Sequence, residues 1–115
     1  MRHDLATLMA ATFLAAASAT AAPATECLSP APAPFLPDGS FATRDQMERA
    51  RTSVFRFTVA LQDYRACLQQ KLDTAPPEVG PAEKQNWRAS IIASLTEERT
   101  LHQDFGDQLT KFQLR

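Results

Sequence analysis

The sequence predicts an all-α protein, an antiparallel two-helix hairpin with an extended Pro-rich N-terminal arm clasped by a disulfide. Three observations predict this fold. Two long segments carry apolar side chains at spacings of three and four, and a short proline-containing connection separates them. Five prolines crowd the segment before the first helix. The chain has two cysteines, Cys27 in that segment and Cys67 within the first helix.

Residues 1–21 have the pattern of a secretory signal peptide. Arg2 supplies the basic end, residues 5–17 are mostly apolar, and the Ala-Thr-Ala at positions 19–21 fits the small-residue rule for cleavage. We expect cleavage after position 21 or 22, with an uncleaved anchor as the alternative. No later apolar run reaches the ~20 residues that a membrane helix needs. The mature protein is therefore expected in the periplasm or secreted, without a membrane span.

Residues 22–42 are predicted to form the arm. Proline has a fixed φ and no N–H, so this stretch is excluded from a helix and favours an extended polyproline-II path. The Pro-Asp-Gly-Ser at positions 37–40 is a turn signal at the end of the arm. The arm is then expected to lead directly into the hairpin, residues 43–115.

Residues 43–73 are predicted to form the first helix. Thr43 and Gln46 have the spacing of a capping box, and Asp45 places negative charge at the positive end of the helix dipole. Pro76 and Pro77 end the helix. A stripe of residues at heptad spacing is expected to face the second helix: Met47, Ala50, Val54, Phe57, Leu61, Tyr64 and Leu68.

Residues 82–114 are predicted to form the second helix. Pro81 suits the first helical position, and the short connection favours an antiparallel partner. A turn centred near Pro77 places Trp87 opposite Cys67, Ser94 near Leu61, Glu98 beside Arg56, and Phe112 near Phe41. The stripe expected to face the first helix is Trp87, Ile91, Ser94 or Leu95, Glu98, Leu101, Phe105, Leu109 and Phe112.

The lengths of the arm and the first helix predict a bond between Cys27 and Cys67. From Thr43 to Cys67 a helix extends ~36 Å at ~1.5 Å per residue. From Cys27 to Ser40 a polyproline-II segment extends ~40 Å at ~3.1 Å per residue. The arm can therefore run antiparallel beside the helix, so that its cysteine reaches Cys67. Pairing between two molecules is the alternative.

The arm and the first helix also resemble a known family. Cys27, the Pro-Phe-Leu-Pro-Asp-Gly at positions 34–39 and the Tyr-Arg-Ala-Cys at positions 64–67 give the pattern C…PxxPDG…YxxC. Small secreted bacterial proteins of uncharacterised function share this pattern, followed by a second helix. The resemblance implies a helical hairpin clasped by a disulfide. It implies no catalytic residues.

The sequence offers no catalytic residues, no cofactor-binding residues and no metal site. Glu98 and His102 lie four apart and supply at most half of a metal site, so we interpret them as a surface acid and histidine. The serines lack a nucleophile motif. The net charge is -1 with both signs interspersed, which excludes the basic stripe of a nucleic-acid-binding protein.

The remaining candidate site is an apolar interaction surface at Phe55 and Ile92, which lie off the predicted stripes. The alternative is that the arm covers them through Leu28, Phe35 and Leu36. Gly106 is costly within a helix. It is either simply tolerated in the last third of the helix or marks the close approach of a neighbour, which would be the Phe41 region or another protomer.

These observations predict a non-enzymatic interaction or structural protein, with no cofactor. Its partner is an unknown protein or a second copy of itself. The alternative is a chaperone-like or envelope-stress binding protein of the periplasm. The segment from Leu109 to Gln113 matches the LTxxQ motif of periplasmic helical chaperones and is the basis for that alternative.

Overall fold

The computed structural model describes residues 26–115 and contains two helices, α1 (Arg44–Asp73) and α2 (Pro81–Gln113). The helices pack against each other, no strand occurs among the described residues, and Cys27 and Cys67 form a disulfide. The predicted fold class and the predicted disulfide are therefore confirmed. The predicted signal peptide lies outside the described residues.

The helix ends follow from their capping residues. Thr43 Oγ1 accepts from the Gln46 amide at 3.1 Å, and Gln46 Oε1 accepts from the Thr43 amide at 2.8 Å. This is the predicted capping box, and it makes Thr43 the cap, so that the helix itself begins one residue later. In α2 Pro81 stands at the first helical position, and both bounds lie one residue earlier than predicted.

The core is a single row of apolar side chains between the helices. Ser94 is buried and Leu95 is exposed, which decides between the two alternatives at that position of α2. Leu68 is buried apart from the main cluster. The other buried apolar residues form one cluster near the first half of α1 and the second half of α2: Ala42, Met47, Ala50, Val54, Phe57, Leu61, Leu101 and Phe105, with Leu36, Leu109 and Phe112 packed against it.

The register between the helices differs from the prediction by about one turn. The Trp87 ring lies 5.0 Å from Lys71 Nζ, one turn beyond the expected Cys67. Glu98 pairs with Arg65, not with Arg56. The predicted register rests on a symmetric turn at Pro77, whereas the contacts place the start of α2 beyond the level at which α1 ends.

The arm runs antiparallel to α1, from the disulfide at one end to a tight turn at the other. At the turn the amides of Phe41 and Ala42 both donate to the Asp38 carbonyl, at 3.1 and 2.9 Å. Phe41 points outward and is exposed. Phe112 packs against the core, and its backbone lies beside Gly39 of this turn.

The end of α2 holds this turn in place. The Gly39 amide donates to Gln108 Oε1 at 2.8 Å. A Cβ at position 39 would lie 1.8 Å from the backbone oxygen of Gln108, so only glycine permits this approach. The Arg115 guanidinium also donates to the Ala42 carbonyl and lies 5.0 Å from the centre of the Phe112 ring. The arm is thus fixed at both ends.

Candidate interaction face

The arm covers one side of the hairpin. Ser29 and Pro30 line a cavity together with Tyr64 and Ser90, near the disulfide. Further along, Leu36 packs against the core and lines a second cavity with Asp104, Gln108 and Lys111 of α2. On this side the groove between the helices is therefore occupied by the chain's own N-terminal segment.

The opposite side of the groove is bridged by a hydrogen bond between Thr58 Oγ1 and His102 Nε2, which lie 2.8 Å apart. The Thr58 hydroxyl also contacts the Val54 carbonyl oxygen at 2.8 Å. Because a hydroxyl has one hydrogen and that carbonyl can only accept, Nε2–H of His102 is the donor. The bond marks which residues of the two helices border this side.

Residues spaced alternately by four and three share one helix face, so a row can be followed along each helix beside this hydrogen bond. We call the two rows together the open face. The row on α1 comprises Phe55, Val59, Gln62, Ala66, Gln69 and Asp73, and the row on α2 comprises Arg88, Ile92, Leu95, Arg99, His102 and Gly106.

Both residues of the predicted interaction surface lie on the open face. Phe55 is 68% exposed and Ile92 is 62% exposed. The arm does not cover them, because Leu36 packs against the core and Leu28 and Phe35 are themselves exposed. The alternative that the arm buries Phe55 and Ile92 is therefore wrong.

Two apolar members of the open face were not predicted. Val59 is 38% exposed and Leu95 is 44% exposed. Val59 lies one turn after Phe55, and Leu95 lies three residues after Ile92. This spacing forms a second heptad row beside the core row, and it is the sequence signal that identifies these two residues. Leu95 was instead considered for the core, where the smaller Ser94 takes the position.

The open face carries charge at the end near the interhelical connection. Asp73 and Arg88 line one shallow depression there with Gln69, Leu72 and Ile92. Asp73 accepts a hydrogen bond from Gln69 Nε2 at 2.9 Å. In the described part of the chain the ion pair is between Arg65 and Glu98, and none joins Asp73 to Arg88.

Glu98 and His102 contact different residues of α1. Glu98 faces Arg65 across the core row, and His102 donates to Thr58. Within residues 26–115 no group of three or more His, Cys, Asp or Glu side chains has the arrangement of a metal site. Both residues therefore act as contacts between the two helices.

No family model, curated protein or solved structure matches this chain. Neither helix within residues 26–115 has the length of apolar sequence that crossing a bilayer requires.

Proposed function

We propose that this protein is a non-enzymatic interaction protein of the periplasm or the cell exterior, and that it binds protein through the open face. The observation that carries the proposal is the difference between the two sides of the hairpin. The arm lies along one side, while the other presents Phe55, Val59, Ile92 and Leu95 to solvent. Large apolar side chains left exposed on one side of a small protein favour a binding surface there.

The disulfide and the leader pattern support the proposed compartment. A bond between Cys27 and Cys67 persists in an oxidising environment and is rare in the cytosol. Residues 1–21 have the sequence pattern of an export signal. The resemblance to small secreted bacterial proteins agrees with both.

The energetics favour a contact on the open face. Fully burying a Phe or Ile side chain stabilises by about 1.5–3 kcal/mol relative to leaving it in water. In the hairpin, more than half of the surface of Phe55 and of Ile92 remains exposed to water. Helix α1 is already anchored by the core and the disulfide, so a partner meets a surface that loses little conformational freedom on binding.

Photo-cross-linking in the producing cell tests the proposal. A photoreactive phenylalanine analogue replaces Phe55 in one variant and Ile92 in another, and we expect both to form cross-links to protein. The matched controls replace Phe35 and Leu114, which are exposed apolar residues outside the open face. Cross-linking at the control positions that equals that at the open face would contradict the proposal.

The identity of the cross-linked protein distinguishes the kinds of interaction. A single product indicates a dedicated partner or a second copy of the chain. A broad distribution of products from Phe55 and Ile92 would indicate the chaperone-like alternative. That alternative also predicts that the purified protein delays the aggregation of an unfolded client, and that Phe55→Ser abolishes the delay.

A further inference from the structure

We infer that the open face binds a second copy of this chain, so that two hairpins form a four-helix arrangement around a two-fold axis parallel to the helices. This inference rests on the proposed function, because it names the partner of the same face. Three properties of the open face support it: its register, its distribution of large and small residues, and its charges.

The register follows from the symmetry. Rotation about an axis parallel to the helices does not move a residue along them. Two residues that lie at the same height within one hairpin therefore also lie at the same height when they belong to different copies. Within the hairpin Thr58 lies level with His102. The α1 row of one copy then faces the α2 row of the other, antiparallel and residue against residue, from Phe55 opposite Gly106 to Asp73 opposite Arg88. Such an interface is isologous, as closed dimers require.

At two points of this register a large residue faces a small one. Phe55 comes opposite Gly106, and Leu95 comes opposite Ala66. A Cβ at Gly106 would meet no atom of residues 26–115 within 4 Å, so neither the Phe41 region nor any other described residue accounts for a glycine there. Glycine costs ~1 kcal/mol in a helix relative to alanine. In the dimer the missing side chain leaves room for the Phe55 ring, as knobs-into-holes packing requires.

Opposite charges face each other at the end of the open face. Asp73 of one copy comes opposite Arg88 of the other, and the two-fold axis repeats the pair. The two side chains line the same depression but form no ion pair within the described chain. Both are therefore available to a second molecule, and complementary charges of this kind fix register and partner choice.

The other symmetric arrangement suits the residues less well. A two-fold axis across the helices would bring α1 against α1 and α2 against α2. Neither Phe55 with Gly106 nor Asp73 with Arg88 would then face each other. The parallel axis is favoured because it matches both size and charge.

The size of the open face predicts a reversible dimer. From Phe55 to Asp73 the face is ~27 Å long at ~1.5 Å per residue. Two helices of ~10 Å diameter make it ~20 Å wide. This is at or below the ~800 Å² per partner of a standard stable interface. We therefore expect a dimer that dissociates on dilution.

Mixing two charge-reversed variants tests the arrangement. The mature, oxidised protein is studied by sedimentation equilibrium as the parent, as Asp73→Arg and as Arg88→Asp. Each variant alone places like charges opposite each other twice, so its dissociation constant should rise ~10-fold or more. In an equimolar mixture both contacts of the mixed dimer have opposite charges, so association should return to near the parent value.

The mixture separates contacts between chains from contacts within one chain. A repulsion between Asp73→Arg and Arg88 of the same molecule is unchanged when another molecule is added, whereas a repulsion between molecules is relieved. Circular dichroism of each variant verifies that the helices are intact. Variants that associate as tightly as the parent, or a mixture that shows no recovery, would overturn the inferred arrangement.

A substitution at Gly106 gives an independent test. Gly106→Leu has room within the chain and should keep the hairpin folded, but it fills the space that Phe55 of the second copy would occupy. We expect the dissociation constant to rise ~10-fold or more. The matched control is Thr100→Leu, which adds the same side chain at an exposed position of α2 outside the open face and should leave association unchanged.

The outcomes distinguish failure of this inference from failure of the proposed function. A mature protein that stays monomeric at high concentration, but whose Phe55 and Ile92 positions cross-link to a different protein, would overturn self-association and leave the proposed function standing. Absence of both self-association and specific cross-links at the open face would contradict both.

Discussion

Arg65 and Glu98 form an ion pair across the two helices, with 3.2 Å between Nη2 and Oε1. The second guanidinium nitrogen of Arg65 donates to the buried Ser94 hydroxyl at 3.1 Å. The two charged side chains are only 14% and 20% exposed, so the contact is largely removed from water. The core row is otherwise apolar, so Arg65 and Glu98 can pair in only one alignment of the two helices. The ion pair therefore helps fix the register of the hairpin.

Removing one partner of this pair should destabilise the protein. Glu98→Gln leaves the Arg65 charge without its counterion in a mostly buried position, at an expected cost of about 1–3 kcal/mol in the free energy of unfolding. Urea denaturation of the oxidised protein measures it. The double variant Arg65→Met/Glu98→Leu should lose less than the sum of its two single variants. Additive losses would mean that the pair makes no coupled contribution.

A control variant tests the register directly. Arg56→Met removes the residue beside which the sequence placed Glu98, but the structure leaves Arg56 exposed and separate from Glu98. Its effect on stability should stay within about 0.5 kcal/mol. A loss at Arg56 as large as that at Arg65 would favour the register predicted from the sequence over the observed one.

Two glycine-to-alanine substitutions should change stability in opposite directions. Gly39→Ala places a methyl group against the Gln108 backbone and must displace the turn, at an expected cost of about 1–3 kcal/mol. Gly106→Ala meets open space within a helix and should stabilise the monomer by up to ~1 kcal/mol. Thermal unfolding at low protein concentration, where association does not contribute, measures both. Gly39→Ala as stable as the parent would show that the turn does not need this close approach.

The disulfide should stabilise the hairpin through the unfolded state. Closing a loop with a sequence separation of 40 residues is worth roughly 4 kcal/mol in the chain-entropy model. Cys27→Ser/Cys67→Ser should therefore unfold at lower urea concentration than the oxidised parent, and it should match the reduced parent. Mass spectrometry of the non-reduced protein is expected to show one intramolecular link. Disulfide-linked dimers would identify the intermolecular alternative.

Much of the fold could be predicted because the local signals agree with one another. The capping box at Thr43, the proline at position 81 and the matching lengths of arm and helix each define one element without reference to the others. The register could not be predicted in this way. It depends on the path of the connection between the helices and on the Arg65–Glu98 pair, and neither has a periodic signature.

The sequence predicts the open face only in part, because some of its residues can be assigned only when the register of the two helices is known. Phe55 and Ile92 stand out as apolar residues away from the core row, whereas Val59 and Leu95 are ambiguous until the register is known. The sequence pattern also does not show which side of the hairpin the arm covers. The prolines predict that the arm is extended, but not where it lies. The open face is therefore a property of the assembled hairpin.

The core row itself provides the last prediction. Leu61 is 1% exposed and Phe57 is 8% exposed, and both belong to the central apolar cluster. Leu61→Ala and Phe57→Ala should each cost about 2–5 kcal/mol, because each loses its burial and leaves a cavity that a two-helix core fills poorly. Arg49→Ala alters an exposed position of α1 and should change stability by less than ~0.5 kcal/mol. Urea denaturation of the three variants should therefore separate them into two classes, whereas equal losses at all three positions would contradict a core confined to one face of α1.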